Sequence, residues 1–94
     1  MPQNAPPIEY TVQVWKEDGQ FIAHAMPLDV MSSGGTTENA RSALDEAVRL
    51  FLAVASEKGD LEEILAESAY VWRDGSWCSP DWVGVERHTV AIGP

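Results

Sequence analysis

Residues 27–47 constrain this chain most, because they join a short extended stretch to a long helix through small residues, in the sequence PLDVMSSGGTTENARSALDEA. The glycines at 34–35 permit a tight turn, and the hydroxyl of Thr36 or Thr37 can cap the first turn of a helix. We expect this helix to end at about Glu57 and to follow a short strand over residues 30–32.

This helix has one apolar face, whose residues recur at i, i+3, i+4 and i+7. The face predicted to pack against a sheet consists of Ala40, Ala43, Leu44, Ala47, Phe51, Val54 and Ala55. The alanines in its first half allow the helix backbone to approach the sheet closely, so larger side chains there would overpack the contact.

Two alternating runs before the helix predict a β-hairpin. Apolar and polar residues alternate from Ile8 onwards, and the Asp18–Gly19 pair favours a two-residue type I′ turn. In that register Val14 pairs with Ala23 on the inner face. The outer face then carries Thr11, Gln13, Trp15, Ile22, His24 and Met26.

The residues after the long helix predict a second, smaller set of elements. A short helix begins near Asp60, and a second Asp-Gly hairpin follows it. In this hairpin Trp72 faces Trp77 across the strands. A final strand is predicted over residues 82–92. Its apolar phase changes near 86–88, which predicts either a bulge there or a strand whose two halves bury opposite faces.

The predicted fold class is α+β: an antiparallel sheet, made of the first hairpin and a third strand, is packed by one long helix. A short second helix, a C-terminal β-hairpin and a strand complete it. Residues 1–7 carry three prolines and are expected to form a flexible arm, and residues 8–94 a single domain. A chain of 94 residues buries roughly 60–65% of its unfolded surface, so its core is thin.

The net charge of −9, from 15 acidic and 6 basic residues, argues against direct nucleic-acid binding, because phosphates need cationic contacts. Such a field attracts a basic macromolecule, although acidity alone also keeps a protein in solution. No apolar run is long enough to cross a membrane. The single Cys78 suits a reducing compartment, so we expect a cytoplasmic protein with no membrane partner.

The sequence contains no recognisable catalytic constellation. His24, Cys78 and His88 are far apart and fit no metal-binding spacing, and the glycines at 34–35 lack the lysine of a phosphate-binding loop. A metal-dependent hydrolase needs at least two converging carboxylates, and the first hairpin offers only Glu9 on a strand. We therefore expect no metal, no cofactor and no enzymatic activity.

The outer face of the first hairpin is the surface with the clearest potential for binding. A monomer rarely exposes residues such as Trp15, Ile22 and Met26 together. Either the C-terminal segment of this chain or another chain is therefore expected to cover them.

The stretch from Tyr10 to Leu52, just under half of the chain, resembles the N-terminal domain of HicB antitoxins. That family opens with a Tyr-led strand, a Gly-centred hairpin and a second strand of the Phe/Tyr-x-Ala type. A Pro-Glu-Leu/Pro-like segment and a Gly-x-Thr-x-x-Glu-Ala motif precede its helix. Asn39 departs from the motif, because glutamate is usual there. The matching positions are Tyr10, Asp18-Gly19, Phe21-Ile22-Ala23, Pro27-Leu28, Gly34-Gly35-Thr36-Thr37-Glu38-Asn39-Ala40, Ala47 and Leu50.

The resemblance implies a degraded ribonuclease H-like fold that is not an enzyme. Such a protein would bind and occlude HicA, a small basic mRNA-cleaving toxin with a double-stranded-RNA-binding-type fold, and would commonly form homodimers. Many members continue into a DNA-binding segment. Residues 60–94 instead look like a short form that ends in a hairpin and a strand, so we do not expect operator binding.

We expect the partner-binding surface to include Trp15, Glu17, Asp18, His24 and Asp29. The alternative is a stand-alone, or orphan, protein- or ligand-binding module that has the same fold and no toxin partner. A short basic open reading frame beside the gene would discriminate between the two functions.

Overall fold

A computed structural model describes residues 6–94 and confirms the α+β class. Strands β1, β2 and β3 form an antiparallel sheet in that order, and β4 and β5 form a second, two-stranded antiparallel sheet. The elements, in chain order, are β1 (Thr11–Glu17), β2 (Gln20–Met26), β3 (Val30–Gly34), α1 (Thr37–Glu57), α2 (Leu61–Glu67), β4 (Val71–Arg73) and β5 (Ser76–Cys78).

The first hairpin has the predicted turn and register. Asp18 and Gly19 both have positive φ, at 52° and 79°, as a type I′ turn requires. Val14 lies opposite Ala23, and Trp15 lies opposite Ile22. The strand β3 then extends two residues further than predicted, to Gly34, because it pairs with β2 as far as Phe21.

The first strand begins at Thr11 and not at Ile8, so the predicted start is wrong. The residues before Thr11 pair with β5 instead of continuing β1. The N–H of Trp77 donates to the carbonyl of Pro7 at 2.9 Å, and the N–H of Glu9 donates to the carbonyl of Trp77 at 3.3 Å. Ile8 thereby forms a parallel bridge with Trp77. Within the flexible arm predicted for 1–7, residues 1–5 lie outside the described part of the chain.

The helix α1 begins and ends where the sequence predicts. The Thr36 hydroxyl accepts a hydrogen bond from the N–H of Asn39 at 3.0 Å, which caps the first turn. Gly34 makes the close approach possible, because a Cβ added there would lie 2.7 Å from the Ala40 nitrogen. The buried core that results contains Ala23, Ala25, Leu28, Ala40, Leu44, Val48, Leu65 and Tyr70.

The second half of α1 extends beyond the sheet, which corrects part of the predicted apolar face. The helix has 21 residues and is therefore about 31 Å long, whereas a seven-residue strand spans about 23 Å. Phe51 and Val54 consequently stay exposed, while Val48 is buried although the predicted face did not include it.

The second hairpin has the predicted turn and the predicted tryptophan pair. Trp72 lies opposite Trp77, and their rings meet edge to face with centroids 5.2 Å apart. Tyr70, which is buried just before β4, donates a hydrogen bond from its hydroxyl to the Glu9 carbonyl. This bond and the pairing of β5 with residues 7–9 attach the second hairpin to the rest of the domain.

The strand predicted over residues 82–92, with its change of phase near 86–88, is absent from the structure. We call residues 80–94 the tail; it is exposed along its whole length and contains no regular secondary structure. A strand needs a neighbour for its backbone groups, and no strand of the described residues pairs with this segment. The radius of gyration of 16.0 Å exceeds the roughly 12 Å typical of a domain of this length, in keeping with an extended tail.

No helix within residues 6–94 has the length and apolar character to cross a membrane.

Candidate binding face on the outer side of the sheet

Within residues 6–94, helices pack on one side of the three-stranded sheet. The helix α1 packs on the inner face, over β2 and β3, where Ala23 and Ala25 are fully buried. No helix or strand of residues 6–94 packs on the opposite side, and Trp15, Ile22 and Met26 of the sequence-predicted outer face are each partly exposed there. The tail meets this face at Thr11, where Trp82 lines the same small pocket. It is exposed along its length, however, so this structure does not support covering of Trp15, Ile22 and Met26 by the C-terminal segment.

Four of the five residues predicted to bind a partner lie in one connected cluster on this face. The indole Nε1 of Trp15 donates to Glu17 Oε1 at 2.9 Å. The imidazole Nε2 of His24 and Asp29 Oδ1 are 2.7 Å apart. The Trp15 and His24 rings meet edge to face, with centroids 6.2 Å apart. We call these four residues the outer cluster.

Strand register explains why these residues meet. Trp15 pairs with Ile22, so His24, two residues further along β2, is its diagonal neighbour on the same face. Asp29 lies in the turn between β2 and β3, with a positive φ of 64°, and its N–H donates to the Ala25 carbonyl at 2.8 Å. This turn brings the Asp29 carboxylate back over β2 and next to the imidazole.

The His24–Asp29 contact fixes the orientation of the imidazole ring. An ionised carboxylate only accepts hydrogen bonds, so Nε2 is the donor in this pair. The His24 side chain is largely enclosed, whereas the carboxylate of Asp29 is exposed. An exposed carboxylate held in this way can still accept hydrogen bonds from a lysine or arginine of a partner.

Asp18, the fifth predicted residue, is not part of the outer cluster. It occupies the first position of the type I′ turn, where its φ is 52° and its side chain is exposed. Asp18 adds a negative charge at the tip of the hairpin, one residue after Glu17. The structure therefore places it near one end of the cluster without a contact to it.

Met31 belongs to this face but was missing from the predicted surface. It pairs with His24 across β2 and β3, and 56% of its surface is exposed. The sequence contained the signal: Val30 points to the core beside Ala25, so the alternation of β3 directs Met31 outwards. The apolar part of the outer face consists of Trp15, Ile22, Met26 and Met31.

The outer face carries side chains suited to binding a partner. It combines apolar side chains with carboxylates that are exposed to solvent. Within residues 6–94, no three His, Cys, Asp or Glu side chains are close enough together to hold a metal ion. The carboxylate of Glu9, considered for a hydrolase, accepts a hydrogen bond from the N–H of Ser79 at 3.1 Å.

On the inner side, α1 and the residues before β1 share a small polar network. Arg49 donates to Asp45 at 2.9 Å, and the Tyr10 hydroxyl donates to the same carboxylate at 3.2 Å. The bond from Arg49 lowers the pKa of Asp45. Burial, and then the hydrogen bond to Asp45, raise the pKa of Tyr10. Burial is also the main reason why the pKa of Tyr70 is raised to about 12.

A second accessible feature is an apolar groove along the exposed end of α1. Its volume is about 470 Å³, within the range of small-molecule sites. The groove lies where the exposed Leu50, Phe51 and Val54 of α1 face Ile64 of α2. Its walls are formed by Ala47, Leu50, Phe51, Val54, Ala55, Lys58, Asp60 and Ile64.

Comparisons with known proteins assign this chain to no family. No protein-family model matches the chain, and no curated protein or solved structure is significantly similar to it.

Proposed function

We propose that this chain is a non-catalytic, antitoxin-like protein that binds and occludes a small basic mRNA-cleaving toxin of the HicA type. The main support for the proposal is the outer cluster, which combines hydrogen-bonded carboxylates with an aromatic ring. It lies on a face of the sheet that no described helix or strand covers. The proposed protein acts by covering the surface with which the toxin holds RNA.

The charge of the chain supports a basic partner. With a net charge of −9, its field accelerates the approach of a cationic protein. Glu17, Asp18 and Asp29 place three carboxylates on or beside the outer face, and all three residues are exposed. A ribonuclease that binds RNA phosphates presents lysine and arginine, which are the side chains that such carboxylates bind.

The apolar residues of the outer face support a protein partner over a small ion. Trp15, Ile22 and Met31 offer an aromatic and aliphatic surface next to the carboxylates. Interfaces between proteins combine an apolar centre with a polar rim in this way. Tryptophan is also among the residues that most often dominate binding energies at interfaces.

The decisive experiment is co-expression of this chain with any small basic protein that is encoded beside its gene, and absence of such a neighbour would favour the stand-alone module. We expect the two proteins to co-purify, and we expect the chain to restore growth and to stop mRNA cleavage by the purified toxin. Trp15→Ala and His24→Ala should each weaken toxin binding by about 2 kcal/mol or more, measured by calorimetry, as central interface residues do.

Trp72→Ala is the matched control, because it removes a tryptophan from the second hairpin, away from the outer face. Its toxin affinity should stay within about 0.5 kcal/mol of the unmodified protein. Unchanged affinity in both Trp15→Ala and His24→Ala would show that the proposed face is wrong. Failure of the unmodified protein to bind would exclude the antitoxin function itself.

A second candidate function is a stand-alone protein- or ligand-binding module, which the apolar groove along α1 favours. Such a groove would bind an apolar ligand between Phe51, Val54 and Ile64. The fluorescence of anilinonaphthalene sulfonate tests this: we expect it to rise on binding and to fall back in Val54→Arg. No fluorescence change in the unmodified protein would exclude an apolar site there.

A further inference from the structure

The tail has the composition of a strand but lies in solvent. Val90 and Ile92 alternate with polar or small residues, and their surfaces are 81% and 94% exposed. A sequence with period-two alternation forms a strand where another strand offers free backbone groups. The described residues contain a strand with free backbone groups, but the tail of the same chain does not pair with it.

That strand is β1, which has a free edge. Within residues 6–94 the sheet order leaves β1 without a strand neighbour on one side, and α1 lies over β2 and β3, so Val12 on the inner face stays 40% exposed. The other edge, β3, presents serine and glycine at 32–34 and lies under the start of α1. The edge of β1 therefore combines unpaired backbone groups with an uncovered apolar side chain.

We propose that residues 87–92 of one copy add to the β1 edge of a second copy, antiparallel, so that two chains exchange tails in a homodimer. In the proposed register Ile92 lies beside Val12 and Val90 beside Val14, on the face that α1 half covers. The same register places Arg87 beside Glu17, which pairs opposite charges. The proposal does not rest on the antitoxin function.

The geometry at the start of the tail favours exchange between copies. Ser79 donates to Glu9, and Trp82 lines the same small pocket as Thr11, so the tail starts beside its own β1 and leaves residues 12–17 free. Just before the tail, the chain runs parallel to residues 7–9, because Trp77 and Ile8 form a parallel bridge. An antiparallel partner for the tail is therefore the β1 of a second copy, not its own β1. When a two-fold axis relates the two copies, the exchange pairs the β1 edge of each copy with the tail of the other.

Sedimentation of the full-length chain tests the dimer. We expect a dimer at micromolar concentration, and we expect the Val90→Asp/Ile92→Asp double variant to raise the dimer dissociation constant at least about tenfold, because it buries carboxylates against valines. Val83→Asp is the matched control, since Val83 is 98% exposed in the tail but lies outside the pairing segment. A monomeric unmodified protein, or a dimer that survives the double variant, would overturn the proposal.

Charge exchange tests the register. Arg87→Glu alone and Glu17→Arg alone should each weaken the dimer about two- to fivefold, and the combined variant should restore its affinity. Circular dichroism checks that the variants fold, which we expect because both positions are exposed. No restoration in the combined variant would overturn the register.

Cross-linking distinguishes a second copy from the chain's own edge. In a Cys78→Ser background, Gln13→Cys with Ala91→Cys should give disulfide-linked dimers under mild oxidation, because these positions lie opposite each other in the register. Gln13→Cys with Val90→Cys is the control, since the two thiols would lie on opposite faces. Cross-linked monomers, or equal dimer yields in both variants, would overturn the exchange.

Discussion

The two Asp-Gly hairpins of this chain have the same turn but very different strands. The φ angles are 52° and 79° at Asp18 and Gly19, and 53° and 82° at Asp74 and Gly75. The strands of the first hairpin have seven residues each, and those of the second have three. The helix α1 packs on one face of the first hairpin, whereas most of the second hairpin is exposed.

The comparison separates what a turn determines from what burial determines. The same type I′ turn sets the same two-residue register in both hairpins, whatever the strand length. Strand length instead follows burial: the first hairpin is extended by β3 and packed by α1, while β4 has β5 as its only strand partner in the described chain and stays exposed. The following predictions test this division, beginning with the largest expected effect.

Removal of core volume under the first hairpin should cost more than removal of an aromatic ring from the second. Leu44 is fully buried below β2, so Leu44→Ala should lower the free energy of unfolding by about 3 kcal/mol through lost contacts and a cavity. Trp72 is half exposed, so Trp72→Ala should cost about 1 kcal/mol. Urea denaturation measures both, and equal costs would contradict the comparison.

Substitution of Gly34 tests the close contact between α1 and the three-stranded sheet. An added Cβ would lie 2.7 Å from the backbone nitrogen of Ala40, which the start of the helix holds in place. Gly34→Ala should therefore lower the free energy of unfolding by about 2 kcal/mol, as overpacking does. Gly35→Ala is the matched control, since nothing lies within 4 Å of its Cβ, and a melting temperature lowered equally by both would contradict this reading.

The hydroxyl of Tyr70 tests how the second hairpin is attached. Tyr70→Phe removes the hydrogen bond to the Glu9 carbonyl and should cost about 1 kcal/mol at neutral pH. Burial raises the pKa of Tyr70 from 10.0 to about 12, so between these pH values the unfolded chain loses this proton before the folded chain does. The free energy of unfolding should therefore fall as the pH rises from 10 to 12.

The Tyr70→Phe variant should show a shallower decline over that pH range, because it has no proton to lose at this position. Some decline should remain, since the pKa of Tyr10 is also raised. Urea denaturation at pH 9, 10, 11 and 12 measures the two slopes. Identical slopes would show that the hydroxyl of Tyr70 does not link folding to alkaline pH.

The smallest expected effects come from the two turn glycines, which form a closely matched pair. Gly19 and Gly75 have nearly the same positive φ, and an added Cβ meets nothing within 4 Å at either. Gly19→Ala should lower the free energy of global unfolding by about 1 kcal/mol. Gly75→Ala should mainly reduce amide-exchange protection within the second hairpin. A global cost equal in both variants would show that the two hairpins unfold together.

Local chemistry in the sequence was sufficient to predict the parts of the fold that depend on neighbours along the chain. The two turns, the register of Trp15 with Ile22 and a threonine cap at 36 or 37, which the structure shows to be Thr36, all follow from short-range geometry. The outer face followed from that register, which is why four of the five predicted residues meet in one cluster. Contact between His24 and Asp29 also required the turn after β2, whose path the sequence did not reveal.

The failed predictions concern segments whose partners are distant in the chain or absent. Ile8 alternates in phase with β1, yet it pairs with Trp77, a contact between residues far apart in sequence. Phe51 has the spacing of a buried residue, but it stays exposed because the helix is longer than the sheet on which it packs. Val90 and Ile92 have the alternation of a strand, but no strand of the described residues pairs with the segment 82–92.

The end of α1 that extends past the sheet lies in a different environment from the part that packs on the sheet. The first half of α1 shares the core with the sheet, whereas Leu50, Phe51 and Val54 are exposed and line the groove beside Ile64 of α2. Segments with few buried contacts open at lower free energy than the rest of a domain. The exposed end of α1 should therefore open at a lower free energy than its first half, whereas Leu65, fully buried in the shared core, attaches α2 to the sheet.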